Sequence, residues 1–319
     1  MSAGERGCAG CLHAGVREEP QEIINKNNYY FFIINNNHYY FKIFDNNIDN
    51  IKPLSELSKN IQLNLNYAHE LIPNKDNKII SIINNIPYYL FKINITADAK
   101  IKLSDISNLA NQNINHNIPL VKDTWPILWS NKIDYLEYQI NEMGKRYPML
   151  VDSFNYFVGM AENAISYAND TIRETKPTIY DKEVVSHIHI NTHDTMLNFY
   201  DISNLKIDHK ARDLAEYIKM SFFNNNKNIF NELNTYFKHN MYTEYGIRML
   251  FARIMYPSFY FNEYDNIING KQKEENISLI IKKIDNYQEY LKKIYTYLKM
   301  FYNIPSIEWL TKKRIINPH

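Results

Sequence analysis

The chain's 319 residues suffice for one large domain or two lobes, and a composition 45% hydrophobic and 14% aromatic excludes a disordered chain. Lys+Arg 36 against Asp+Glu 35 leaves a net charge of +1, so no global field draws the protein to nucleic acid or to an anionic membrane, although a local patch is left open. The apolar runs are too short for a membrane span and the start lacks a secretory signal, which reads as a protein made and kept in the cytosol.

Residues 1–27 read as a divergent, disordered tail. It holds both cysteines, Cys8 and Cys11, so the folded body contains no disulfide. Cys8, Cys11 and His13 resemble half of a zinc site, but no second thiol pair closes a tetrahedron. A small lobe follows over 28–95. Its first hairpin, NYYFFIINNNHYYFKIF, is aromatic and β-branched on both sides of an Asn turn. One helix is expected from Ile51 to Ile72, with Leu54, Leu57, Ile61, Leu65 and Ala68 at helical spacing and Pro53 in the first turn. KIISIINN and IPYYLFKINI then form a second hairpin around Asn84-Asn85.

TADAK reads as a hinge, and LSDISNLANQNI opens a larger lobe over 96–319. NKIDYLEYQINEM puts Ile133, Leu136, Tyr138 and Ile140 on an apolar face. Pro148 begins a long helix in which Gly159 and Ala161 allow close approach. A central hairpin is expected near 184–201, its second strand ending in Asp201, with IDHKARDLAEYIK opening a helix. Further helices are expected at about 211–223, 226–239, 242–255 and 273–302, with a shorter aromatic one near PSFYFNEYDNII.

Lys42 in YYFKIF, the central hairpin and RDLAEYIK resemble the lipopolysaccharide and aminoglycoside kinase type, whose catalytic loop reads His-Gly-Asp-x-His-x-x-Asn. In HIHINTHD, His187 takes the place of the first His, His189 that of the catalytic Asp and Asp194 that of the Asn. GMAENAISYAND, IDHKARDLAEYIK, ARIMYPSFYFNEY and IPSIEWL together resemble the YutH-like branch of the CotS-type spore coat proteins of endospore-forming bacteria. The resemblance implies an α+β, protein-kinase-like two-lobed fold: a small antiparallel β-sheet N-lobe and a mainly α-helical C-lobe. It also implies assembly with other spore coat proteins, first in the mother-cell cytoplasm and then in the coat.

Against that pattern the chemistry is incomplete. A kinase covers phosphates with glycines because a backbone without Cβ can approach closely, yet no glycine occurs between Gly15 and Gly144. Lys42 stands where the nucleotide-binding lysine belongs, with Glu56 or Glu70 as a possible ordering carboxylate, or else it is an exposed strand-end lysine. His189 replaces the catalytic carboxylate; it is either a substitute base or a histidine satisfied on a strand. Asp201 and Asp194 are the metal-ligand positions, separated from the family's usual spacing by a short link of 201 − 189 = 12 positions. His187, His189 and His193 offer an alternative zinc or copper cluster. Arg212 and Asp213 read as structural, Asp213 as a backbone acceptor. The expected function is thus a degenerate kinase acting as a binding or scaffold component, without a cofactor. The alternative is an active small-molecule phosphotransferase using ATP and magnesium.

Overall fold

The computed structural model describes residues 20, 22–26, 29–65, 67–93, 98–112, 124–191 and 194–311. Cys8, Cys11, His13 and His193 lie outside them, as does part of the TADAK segment. Two compact units form, one of residues 1–121 with 183–208 and one of 122–182 with 209–319. By its contacts the central hairpin groups with the sheet, whereas the sequence reading carried it with the helical lobe.

The first unit is built on a six-stranded antiparallel sheet. Its strands are β1 (Ile23–Lys26), β2 (Tyr29–Ile34), β3 (Asn37–Ile43), β4 (Glu70–Ile72), β5 (Ile80–Ile83) and β6 (Ile86–Ile93). They run in the order β1-β2-β3-β6-β4, with β5 also paired to β6. Asn35 and Asn36 (φ 49° and 61°) close β2–β3, and Asn84 and Asn85 (φ 50° and 62°) close β5–β6. Asparagine tolerates this left-handed region, which a two-residue hairpin turn demands. These turns set a register that places Lys42 opposite both Tyr29 and Tyr89. Phe32, Ile34, Phe41 and Leu90 form a buried cluster on the opposite face from Lys42, as strand alternation requires.

Three expectations for this unit are corrected. Residues 23–26 lie within the supposed disordered tail but form β1, because IINK offers β-branched residues to the open edge of β2. The helix expected to reach Ile72 stops as α1 (Ile51–Asn64), Leu65 turns extended at φ −124°, and Glu70–Ile72 pairs with β6 instead. Pairing with an available strand edge outweighs helix propensity there. In the central hairpin, β7 (Glu183–His187) pairs not with a strand ending in Asp201 but with β8 (Leu205–His209). Residues 194–201 instead include a helical turn, α5 (Met196–Phe199), and the next unit's helix begins only at Ala211. Another helix, α2 (Leu103–Ala110), packs against β7.

The second unit is helical. It contains α3 (Trp125–Met143), α4 (Pro148–Glu174), α6 (Ala211–Phe223), α7 (Ile229–His239), α8 (Glu244–Met255), α9 (Ser258–Ile268), α10 (Ile277–Ile281), α11 (Ile284–Lys299) and α12 (Glu308–Thr311). α8 packs on both α4 and α6, and α3 packs on α4. Pro148 occupies the first turn of α4, where its missing N–H costs nothing. The helix expected over 273–302 is divided at Lys282–Lys283. Ile133 and Leu136 are buried as expected, but Tyr138 is 67% exposed. Ala161, Ala164 and Ala168 of α4 are fully buried, whereas a Cβ at Gly159 would meet nothing within 4 Å, so Gly159 is not a point of close approach.

Candidate functional site

Lys42 near the end of β3 and Asp201 just before β8 are 159 residues apart in sequence, and the fold of the first unit joins them in an ion pair. The Lys42 Nζ donates to Asp201 Oδ2. Asp201 Oδ1 accepts from the Tyr89 hydroxyl, from Ser203 N at 2.9 Å and from Ser203 Oγ at 2.7 Å. Each donor has a local reason. Tyr89 is the cross-strand partner of Lys42, and Asp201 caps the 3₁₀ turn Ile202–Asn204 with its own side chain. Asn46 Nδ2 donates to Ser203 O at 2.9 Å, tying the turn to the segment after β3.

Burial alone would raise the carboxyl pKa of Asp201, but the Lys42 charge and the donated hydrogen bonds outweigh it and hold the group below its ordinary range. Burial and the Asp201 charge push the Tyr89 phenol well above 10. Asp201 is therefore held as the carboxylate, and the Tyr89 phenol donates to it. Three donors fill Asp201 Oδ1 and the Lys42 ammonium sits on Oδ2, so a hydrated magnesium ion at this group would have to share Oδ2 with Lys42 or displace it.

A cavity of about 310 Å³ opens beside the pair, lined among others by Lys42, Asp45, His189, Asp194 and Asp201. All four site residues read from the sequence thus border one cavity. Asp194 Oδ2 accepts from Asn191 N at 2.6 Å, closing a local turn. His189 is exposed and stands beyond the end of β7, which corrects the expectation that it is partly buried on a strand. Its backbone is held from both sides by Asn204, through His189 N to Oδ1 at 2.9 Å and Nδ2 to His189 O at 2.8 Å.

His187 is buried, with Nε2 2.6 Å from Phe199 O and its ring 4.5 Å from the Phe199 ring. His187 and His189 accordingly do not share a face. Among the described residues no three His, Cys, Asp or Glu side chains are placed to hold a metal ion. Neither proposed ordering carboxylate meets Lys42: Glu56 is exposed and Glu70 lies 3.4 Å from Lys92. The buried face of α1, Leu54, Ser55, Leu57, Ser58 and Ile61, carries no acid. In the second unit, Arg212 and Asp213 are buried at the start of α6.

Tyr89, Ser203, Asn46 and Asn204 escaped the sequence reading. Two had a signal: Tyr89 follows from counting the register outward from the two Asn-Asn turns, and Asp201-x-Ser203 is a short capping pattern.

A family model described as "Spore coat putative kinase YutH" matches residues 16–301. The chain belongs to the YutH family of spore coat proteins. The endospore coat-associated protein YutH of Bacillus subtilis strain 168 is 25% identical over 211 residues. That alignment covers 59% of this YutH-family chain and spans 61% of the relative's own length. Among solved structures, an aminoglycoside phosphotransferase from Alicyclobacillus acidocaldarius is similar with a TM-score of 0.61 at 12% identity, covering 88% of this chain and 93% of that one. A spectinomycin phosphotransferase, in complex with ADP and spectinomycin, gives 0.57 at 13% identity and 95% of each chain. These likenesses show the fold: an α+β, protein-kinase-like, two-lobed architecture. No helix among the described residues is long and apolar enough to cross a membrane.

Proposed function

We propose that this YutH-family chain is a kinase-fold component of the spore coat that does not transfer phosphate and works by binding other coat proteins, first in the mother-cell cytoplasm and then in the coat. One observation carries the reading: Asp201, which the family resemblance puts in the metal-binding position, is paired with Lys42 and accepts from Tyr89 and Ser203. Other features point the same way. The β2–β3 turn is Asn35-Asn36, so side chains stand where a phosphate cradle needs bare backbone. The base position holds His189.

The test is nucleotide binding and turnover. With ATP and magnesium at millimolar concentration, no stabilisation in a thermal melt and no phosphate release are expected. Magnesium-dependent stabilisation together with turnover would overturn the proposal. A second reading, an active small-molecule phosphotransferase, is favoured by the meeting of Lys42, Asp194, Asp201 and His189 on one cavity. It requires that His189→Ala lower turnover while the melting temperature stays the same.

A further inference from the structure

Helix α3 is apolar on two faces. Trp125, Trp129, Ile133 and Leu136 fall on one side, where they are buried as α3 packs on α4 and Trp129 stacks on Tyr256 at 4.5 Å. At about 100° per residue, Ile127, Leu128, Tyr135 and Tyr138 fall within an arc of about 100° whose centre lies roughly 160° from that side. They are 55%, 37%, 55% and 67% exposed. The outward face of a packed helix is ordinarily polar, and while one exposed apolar side chain needs no explanation, four on a single helix face do.

The spacing on that face fits another helix. Leu128, Asn131, Tyr135 and Tyr138 recur at i, i+3, i+7 and i+10, the seam along which two helices pack side by side, with Ile127 next to it. Asn131, exposed at the middle of the seam, is the kind of polar position that fixes register between paired helices.

The charge along the seam is negative. Between Ile127 and Tyr138 the acids are Asp134 and Glu137, both exposed, and neither side chain has a polar partner among the described residues. The single base of that stretch, Lys132, is occupied, because Asp265 of α9 accepts from its ammonium at 2.6 and 2.9 Å. Past Tyr138 come Glu142 and then Lys145 and Arg146, the two bases in the turn after the helix. They lie about 10 Å or more beyond Tyr138, a Debye length away, so they leave the seam itself negative.

We infer that this face of α3 receives an amphipathic helix of another protein whose apolar stripe is bordered by lysine or arginine. The stripe buries Leu128, Tyr135 and Tyr138, and the bases meet Asp134 and Glu137. A second copy of this chain suits the face poorly, since pairing α3 with itself brings acids together and supplies no free base. The seam is only about 15 Å long, which makes a single contact weak. The inference rests on the reading that the chain works by binding coat proteins, and it names the chemistry of such a partner.

A designed three-heptad peptide with leucine at its seam positions and lysine bordering them tests this by fluorescence anisotropy. The labelled peptide is held at nanomolar concentration, where it stays monomeric, and the full chain is titrated into the millimolar range. The wild type should bind it, and should bind the same peptide with glutamate borders at least about tenfold more weakly. Leu128→Asp with Tyr138→Asp should weaken binding of the lysine-bordered peptide by at least about tenfold, and Asp134→Lys with Glu137→Lys should reverse the preference between the two peptides. All four positions are exposed, so circular dichroism should be unchanged. No binding of the lysine-bordered peptide, equal binding of both, or binding indifferent to these substitutions overturns the inference. So does self-association in sedimentation equilibrium that Leu128→Asp abolishes, since a second copy would then cover the face. Those results leave the wider reading standing, whereas ATP turnover would remove that reading without changing the peptide result.

Discussion

Replacing Lys42 with Met measures how far the site has become a structural element. The Asp201 side chain retains 3% of its surface and that of Lys42 22%. Losing the ammonium leaves a buried carboxylate with only Tyr89 and Ser203 as donors. Breaking a buried pair costs about 3–5 kcal/mol. Water entering beside the partly exposed position 42 screens part of that, which places the loss near the lower figure, about 3 kcal/mol. At about 2–4 °C per kcal/mol, the melting temperature should fall by roughly 6–12 °C.

The loss depends on pH with a definite sign. Asp201 has a folded pKa below its ordinary value of 3.8 in the wild type, so its stabilisation is complete above that value and disappears as pH falls through the folded pKa. Without Lys42 the folded pKa moves upward, and the penalty shrinks toward pH 4 as the carboxyl takes a proton. Urea unfolding followed by circular dichroism at neutral pH and at pH 4 gives both figures. The double variant Lys42→Met/Asp201→Asn should regain about half the loss, because no unpaired charge remains. A Lys42→Met variant within about 0.5 kcal/mol of the wild type, or a penalty that ignores pH, refutes the reasoning.

His69 is buried in a stack with Phe91 at 4.3 Å and edge-on to Tyr200 at 6.0 Å, and burial lowers its pKa from 6.5 to about 4 against the pull of Asp201. Stability should be full above pH 6.5, decline by up to about 3 kcal/mol (6.5 − 4 = 2.5 pH units) as pH falls from 6.5 to 4, and lose no more to this group below that; His69→Phe should flatten that part of a urea-midpoint profile. At Asn36, with φ 61°, Val should cost about 1–2 kcal/mol and Gly nothing, read as melting temperatures. In the second unit Glu216 accepts from Lys219 at 3.2 Å, Arg253 at 3.0 Å and Ser258 at 2.9 Å, and these partners overcome its burial to hold its pKa at about 2. Glu216→Gln should therefore cost about 3–5 kcal/mol in urea unfolding, with part recovered in Glu216→Gln/Lys219→Met.

The chain's own order of residues determined what depends on near neighbours. Paired asparagines that tolerate the left-handed region, between aromatic and β-branched runs, specify both hairpins, and Pro148 with a repeating apolar stripe specifies α4. Lys42 and Asp201 were each legible at their positions. What they do to one another was not, because an ion pair across 159 residues exists only once β3 and the Asp201 turn are packed together. The same holds for β4 and β8. Leu205 and Ile207 are buried and alternate with Lys206 and Asp208, a strand signal that the helix-like run after Ala211 obscured. Helix and strand propensities differ by less than the free energy of satisfying backbone donors at an open strand edge, so tertiary structure decided these segments.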